Sequence, residues 1–406
     1  TQFSLYFSDL YEFNAFDTAI DLASRLLQSI GITSIILAVI YFIWPDMNIG
    51  RWIFFASLIL LLFFLVSWRF LYSIIIRRKF FTEKALVIGS GELTRDIMNE
   101  MAGRKDLGYD VCAVIANDKG QINKDQFKGM SIQYGFDNIC DFAEAEDVSS
   151  VIVALDEKRG ILPYKELLNC KMKGINIIDG ESFYERITQK LLVEKINPSW
   201  LIFSDGFVKS KITRVTKRLV GLILSAIMLI MLSPLMILTA VAIKLNSRGP
   251  VFFSQERVGE NGEIFVLYKF RSMRADAEKE SGPVWATKND SRITGVGKII
   301  RKLRIDELPQ LWDVFNGDMS FVGPRPERQF FVEKLKKTVP FYNERFSVKP
   351  GVTGWAQIKY PYGSSEQDAL EKLKYDLYYI KNMSIFMDFV IIFHTVKIVL
   401  LGRGSR

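Results

Sequence analysis

The sequence predicts an α/β membrane protein: N-terminal transmembrane helices, a Rossmann-like parallel-sheet domain, and an α-rich domain entered through a re-entrant membrane helical hairpin and carrying interfacial amphipathic helices. Three observations carry that expectation. Several uncharged apolar runs have roughly bilayer length, and one is interrupted by a proline. Strand and helix patterns alternate between residues 81 and 194. The chain is 49% hydrophobic with 31 Phe in 406 residues, more apolar material than a water-soluble chain needs.

Residues 1–80 read as a transmembrane hairpin. Leu26–Trp44 is nineteen residues without a charge and Trp52–Trp68 is seventeen, with Pro45 in the short loop between them. The three tryptophans suit interfacial positions, and Arg77-Arg78-Lys79 assigns the following chain to the cytoplasm. Because residue 1 is Thr, the hairpin is expected to be the remainder of a larger N-terminal bundle.

Residues 81–194 change pattern. Ala85-Leu-Val-Ile-Gly89-Ser-Gly91-Glu-Leu-Thr94 reads as strand, glycine turn and helix, and Val111–Ala116, Val151–Leu155 and Ile175–Ile178 are further strand candidates. Gly89-x-Gly91-x-x-Thr94 would put a helix N-terminus where a phosphate can bind. Its third position is Thr and the acidic residue, Asp118, comes late, so a structural or assembly domain that keeps only the fold stands beside the nucleotide reading. Residues 195–212 read as a linker.

In residues 213–248, Leu219–Ile243 is uncharged for twenty-five residues but holds Ser233-Pro234. Proline removes a backbone donor, so a break is expected there. The arms of fourteen and nine residues would be about 21 and 13 Å long, each too short for a bilayer. Both ends are basic, Arg214, Lys217 and Arg218 before and Lys244 and Arg248 after, which favours a helix re-entering the cytoplasmic face over a kinked full span.

Residues 249–406 form the candidate catalytic domain. Gln367–Ile380 and Ile385–Leu400 are amphipathic enough to lie on a bilayer surface or to serve as core helices. Residues 1–210 carry a net charge of −4 and residues 211–406 a net +12. The basic half favours phosphates, whereas no RNA-binding motif or basic recognition helix points to nucleic acid. Cys112, Cys140 and Cys170 lie far apart and read as reduced core residues. His394 is the only histidine, which excludes Ser-His triads and His-rich zinc sites.

Carboxylates and cations are left to do chemistry. Pro309 places a helix start near Asp306-Glu307, with Leu308, Leu311, Trp312 and Phe315 as its buried face and Gly317 as its stop. An N-cap and a first-turn acid are the ordinary reading of such a pair. The surrounding cations favour more: Lys269 and Arg271 share a strand face, Arg301 and Arg304 precede the pair, and Arg325 stands between two prolines in Gly323-Pro324-Arg325-Pro326. Carboxylates that hold Mg²⁺, ringed by Arg and Lys, suit a diphosphate.

Four elements in this order resemble the bacterial sugar transferases, the monotopic polyprenyl-phosphate phosphoglycosyl transferases. They are the Ser233-Pro234 hairpin; Tyr268-Lys-Phe-Arg-Ser-Met273; Asp306-Glu-Leu-Pro-Gln310 through Gly317-Asp-Met-Ser-Phe-Val-Gly-Pro-Arg-Pro326; and Lys349-Pro-Gly-Val-Thr-Gly-Trp-Ala-Gln357, together covering about residues 212–402. The N-terminal hairpin and Rossmann-like domain look like the extension of the family's large members, which initiate exopolysaccharide or O-antigen assembly, although two spans are visible where four are usual. The resemblance implies transfer of a sugar 1-phosphate from a UDP-sugar to polyprenyl (undecaprenyl) phosphate at the bacterial inner membrane, cytoplasmic face, with release of UMP. Asp306 would be the nucleophile that forms an aspartyl phosphosugar, Glu307 would hold Mg²⁺ with Asp306 beside it, and Lys269, Arg301 and Arg325 would offset phosphate charge.

Two other classes are weighed against this one. A membrane-tethered NAD-dependent dehydratase or epimerase needs a Tyr-x-x-x-Lys pair, which Tyr375, Tyr378 and Tyr379 do not supply. A non-catalytic scaffold of polysaccharide assembly predicts no UMP release. The sequence does not name the sugar, because hydroxyl recognition depends on loop geometry, here of Ser281–Asn289 or Tyr360–Ser365, and assembly, a homodimer included, is left open.

Overall fold

A computed structural model of the chain describes residues 2–8, 10, 19–47, 50–77, 82–102, 104, 107–117, 131–158, 160–195, 204–274, 290, 292–360, 363 and 365–401. It divides into two compact units, Thr1–Thr188 and Gln189–Arg406. The expected linker at 195–212 lies partly outside the described residues, as does the proposed sugar loop at Ser281–Asn289.

The first unit begins with α1 (Gln2–Phe7), α2 (Ala19–Ile43) and α3 (Arg51–Arg77), with a 3-10 turn at Pro45–Met47. Ser24–Ile43 and Trp52–Tyr72 are long and apolar enough to cross a membrane. Trp44, Trp52 and Trp68 are exposed, as side chains that meet lipid or its headgroups would be. Of the basic cluster, Arg78 and Lys79 lie outside the described residues.

The α/β part follows the expected alternation. Its elements are β1 (Glu83–Ile88), α4 (Glu92–Ala102), β2 (Tyr109–Ala116), β3 (Ser131–Tyr134), α5 (Ile139–Ala145), β4 (Ser150–Val153), α6 (Tyr164–Met172), β5 (Asn176–Asp179) and α7 (Gly180–Thr188). The strands order β3-β2-β1-β4-β5 and every pairing is parallel, the doubly wound arrangement. Ala85–Ile88 are fully buried because β1 lies between β2 and β4, which is why they read as one continuous apolar run.

The glycine turn after β1 is tight and already filled. Gly89 adopts φ +133°, and a Cβ there would come within 2.3 Å of the Ala154 carbonyl oxygen. Thr94, at the third fingerprint position, donates through its hydroxyl to that same oxygen at 3.0 Å. The amides of Glu92 and Leu93 at the start of α4 both donate to the Asp156 carboxylate, at 2.9 and 3.0 Å. The protein's own carboxylate therefore takes the donors that a bound phosphate would use.

The second unit opens on α8 (Lys211–Asn246), capped by Ser210, whose hydroxyl accepts from Thr213 N–H at 3.1 Å. The helix does not end at Ser233-Pro234: its helical run continues through Pro234 for 36 residues. A local substitution explains this: Pro234 cannot donate to the Ile230 carbonyl, and the Ser233 hydroxyl donates to it instead at 2.8 Å. Both ends of α8 dock on the same unit. Near the start, Arg218 donates to the Val314 and Phe315 carbonyls at 2.7 and 2.8 Å, and Lys217 pairs with Asp388 at 2.7 Å. Near the end, Ile243 packs with Phe270 and Ile300.

There follow an antiparallel hairpin, β6 (Phe252–Val258) and β7 (Ile264–Phe270), then α9 (Gly295–Lys302), α10 (Gln310–Asn316), β8 (Ser320–Val322), α11 (Gln329–Thr338), β9 (Gly351–Thr353), α12 (Trp355–Lys359), α13 (Glu366–Asn382) and α14 (Ile385–Leu400). β8 and β9 pair in parallel. Leu373, Leu377 and Ile380 of α13 lie in the main core, so this helix buries the face that could have met lipid. α14 differs: Phe386, Phe389, Phe393, Val396 and Leu400, spaced three and four apart, form an exposed apolar stripe.

Candidate active site

Arg304 separates α9 from the acidic pair. It adopts φ +56°, the left-handed region that a non-glycine residue enters at a cost, and thereby turns the chain into a single 3-10 turn, Ile305–Glu307. The helix proper starts at Gln310 and ends at Gly317, which takes the left-handed C-cap conformation as expected. Asp306 and Glu307 thus precede the helix instead of starting it. The buried face is also rotated from the expected one: Leu311 and Val314 are buried, whereas Trp312 is half-exposed and stacks on Phe315.

Glu307 is the centre of the charge cluster. Its Oε1 accepts from Lys269 Nζ at 3.0 Å and Arg325 Nη2 at 2.9 Å, with Arg304 Nη1 at 3.9 Å. Burial opposes its ionisation, but Lys269, Arg325 and Arg304 outweigh that and hold its carboxyl well below the usual range. Burial lowers the pKa of Lys269 and Arg325 lowers it further, while Glu307 opposes both.

Asp306 behaves differently from its neighbour. Burial first and the adjacent Glu307 second raise its carboxyl to about 6, against the pull of Lys269, Arg301 and Arg304. Its Oδ1 is buried with no hydrogen-bond partner among the described residues, as are Gln310 Nε2 and Asp313 Oδ1. Such orphaned atoms call for a ligand, ion or water. Two adjacent carboxylates, one with an unused buried oxygen, fit a Mg²⁺ ion that takes its other ligands from water and a diphosphate.

Of the sequence candidates, Lys269, Arg304 and Arg325 converge on Glu307, and Arg301 acts on Asp306 through its charge. Arg271 does not join them. It is buried and donates to the Ser247 and Arg248 carbonyls at 2.9 and 3.1 Å, closing the end of α8. A shared strand face did not give it a shared partner.

Two residues that the sequence did not single out support the site. Arg345 forms a buried ion pair with Asp376 at 3.0 Å and donates to the Arg325 carbonyl at 3.0 Å, which fixes the Pro-Arg-Pro loop. Asp313 accepts the Tyr268 N–H at 3.2 Å, one residue before Lys269, and burial pushes its own carboxyl up to about 7.

Comparison with known proteins identifies the family of the region that holds this cluster. Residues 212–402 match the bacterial sugar transferase family and residues 6–160 match a CoA-binding domain family. The chain is 41% identical over 240 residues to the UDP-N-acetylgalactosamine-undecaprenyl-phosphate N-acetylgalactosaminephosphotransferase of Aeromonas hydrophila, covering 59% of this chain and 56% of that protein. It is 43% identical over 190 residues to an exopolysaccharide production protein of Rhizobium leguminosarum bv. phaseoli, covering 45% of this chain and 94% of that protein. It is 28% identical over 346 residues to the undecaprenyl-phosphate galactose phosphotransferase of Salmonella typhimurium, covering 80% and 69%. The chain spans 56% and 40% of the length of the first two transferases it matches. The CoA-binding match does not fit the residues present, because Asp156 fills the helix start that a pyrophosphate would need. The Asp306–Glu307 cluster lies inside the matched region, and nearly the whole length of the Rhizobium protein is covered: the chain belongs to the bacterial sugar transferase family.

Proposed function

We propose that the protein transfers a sugar 1-phosphate from a UDP-sugar to undecaprenyl phosphate, releasing UMP, as the first membrane step of exopolysaccharide or O-antigen synthesis. The observation that carries this reading is Asp306, buried with an unpartnered oxygen beside a Glu307 held by Lys269, Arg304 and Arg325. An Asp306 oxygen attacks the β-phosphorus, the bond to the bridging oxygen breaks, and UMP leaves with that oxygen. A phosphate oxygen of the lipid then attacks the same phosphorus and returns Asp306 as a carboxylate. Lys269, Arg304 and Arg325 offset the negative charge gathered at the transferring group. Glu307 and Asp306 would hold Mg²⁺, which would supply Lewis-acid neutralisation of the diphosphate.

A lipid acceptor requires the site to stand at headgroup level. Supporting this, Ile299, Leu303 and Trp312 are exposed around the acidic pair, α14 presents its apolar stripe, and α8 docks both its ends on one unit. We read α8 as bending at Ser233-Pro234 within its continuous helical run, so that both its ends stay at the cytoplasmic face of the inner membrane. Cysteines introduced near residues 212 and 248 will then both react with an impermeant reagent from the cytoplasmic side; labelling from opposite sides would overturn that path.

The reading is tested by UMP release from a panel of UDP-sugars with Mg²⁺ and undecaprenyl phosphate. Release by the wild type and its loss in Asp306→Asn by about 10³-fold or more are expected. Full turnover by that variant removes Asp306 as nucleophile, and no release from any UDP-sugar removes the reading.

A further inference from the structure

Where α8 leaves the second unit there is a cavity of about 410 Å³, and its lining includes neither Asp306, Glu307 nor the cations grouped around them. Its size is that of a small-molecule site. Five cations line it: Lys209, Arg214, Lys217, Arg218 and Lys349, against Glu260 as the single lining carboxylate. Among the described residues only Lys217 of these pairs with an acid, Asp388 at 2.7 Å. Arg218 and Lys349 donate to backbone carbonyls, of Val314 and Phe315 and of Gly317, and Lys209 donates to the Lys381 carbonyl at 2.7 Å. Carbonyl contacts fix these cations without neutralising them. Arg214 has no side-chain hydrogen bond or ion pair among the described residues. Burial first, and the nearby Lys217 second, lower the pKa of Lys209.

The remaining lining is apolar, with Val215, Leu219, Val314, Val322, Val348 and Met383. A cationic mouth over an apolar wall suits an amphiphilic anion. Its position makes the choice of amphiphile narrower, since Arg214, Lys217 and Arg218 are the basic residues at the start of a helix long and apolar enough to cross a membrane. Basic pockets at that level bind lipid headgroups.

We propose that this cavity binds the phosphate headgroup of a membrane lipid, with the start of its chain against the Val215–Leu219 wall, as a second site separate from Asp306–Glu307. The chemistry is shared by the phosphodiester of an anionic phospholipid and the phosphomonoester of a polyprenyl phosphate. The KPGVTGW stretch gains a role in the same step, because Lys349 both ties the end of α10 and lines the cavity.

The test uses the full chain in phosphatidylcholine nanodiscs, with phosphatidylglycerol added in one arm and undecaprenyl phosphate in the other, and retained lipid counted by native mass spectrometry. Arg214→Gln is the variant, since that exposed side chain supports nothing else in the fold; an unchanged melting temperature confirms this. At least one lipid should be retained, and Arg214→Gln should weaken that retention about fivefold, the effect of one interfacial cation. The arm that responds identifies the lipid. Asp306→Asn should retain lipid as the wild type does, so failure of the transferase reading leaves this result intact. Retention of neither lipid, or equal retention by wild type and Arg214→Gln in both arms, overturns the site.

Discussion

Two carboxylates in this chain stand next to groups that could receive a phosphate, and they differ in what they leave over. Asp156 in the Rossmann-like unit gives both oxygens to the first amides of α4, so donors and acceptor balance and the helix start is closed. Glu307 in the transferase unit gives one oxygen to Lys269 and Arg325, and Lys269, Arg301 and Arg304 also act on Asp306 beside it. A phosphate-binding fold does not make a phosphate site; a cluster of cations whose carboxylate partner does not close it off does. The first arrangement is a satisfied piece of structure and the second is poised for an anion.

The contrast can be broken most severely from behind the Arg325 loop. Arg345→Leu strands Asp376 as a buried charge and frees the Arg325 carbonyl, so it should cost about 3–5 kcal/mol in denaturant unfolding and cut UMP release in the surviving protein. Wild-type stability would show that the cation cluster needs no buried support. A smaller effect is expected at Asp313. Its carboxyl is raised to about 7 in the folded protein against an ordinary 3.8, so the folded state holds the extra proton between those values and loses stability as pH rises through that window. Asp313→Asn keeps an acceptor for Tyr268 N–H and should gain on the order of 1–2 kcal/mol at pH 8 with little gain at pH 4. Equal gains at both pH values would contradict a neutral, buried Asp313.

The smallest effect sharpens the other side. Asp156→Ala empties the start of α4 and should cost about 1 kcal/mol, the usual loss for a removed helix cap. In that variant sulfate or phosphate should recover the lost melting temperature, whereas the wild type should respond neither to these anions nor to coenzyme A. A melting-temperature rise of the wild type with coenzyme A would show that the carboxylate yields its place.

Much of this was legible because the relevant signals are local. The apolar run of β1 and its glycines announced the parallel sheet, and Pro309, Gly317 and the Pro-Arg-Pro loop announced a shaped site. β3 escaped because Ser131–Tyr134 has a single aliphatic residue and no buried one, and β6 because Phe-Phe-Ser-Gln-Glu-Arg-Val shows no two-residue period. Arg345 escaped for a different reason. Its partners Arg325 and Asp376 are 20 and 31 residues away, and nothing local distinguishes it from a surface arginine. Arg271 was misread because periodicity assigns a side chain to a face but not to the helix end lying across that face. The break at Pro234 was expected from the missing donor alone; the hydroxyl one residue earlier restores the bond.

That hydroxyl has a mechanical consequence. A backbone N–H points in one direction, whereas the Ser233 oxygen swivels about its Cβ bond and can follow the Ile230 carbonyl as the helix flexes. Proline has already removed the rigid tether, so the two halves of α8 can change their mutual tilt without baring a carbonyl to hydrocarbon. The Ser-Pro step is thus a sealed joint: both ends of α8 are held by the rest of its unit, and the bend between them can vary without exposing the Ile230 carbonyl.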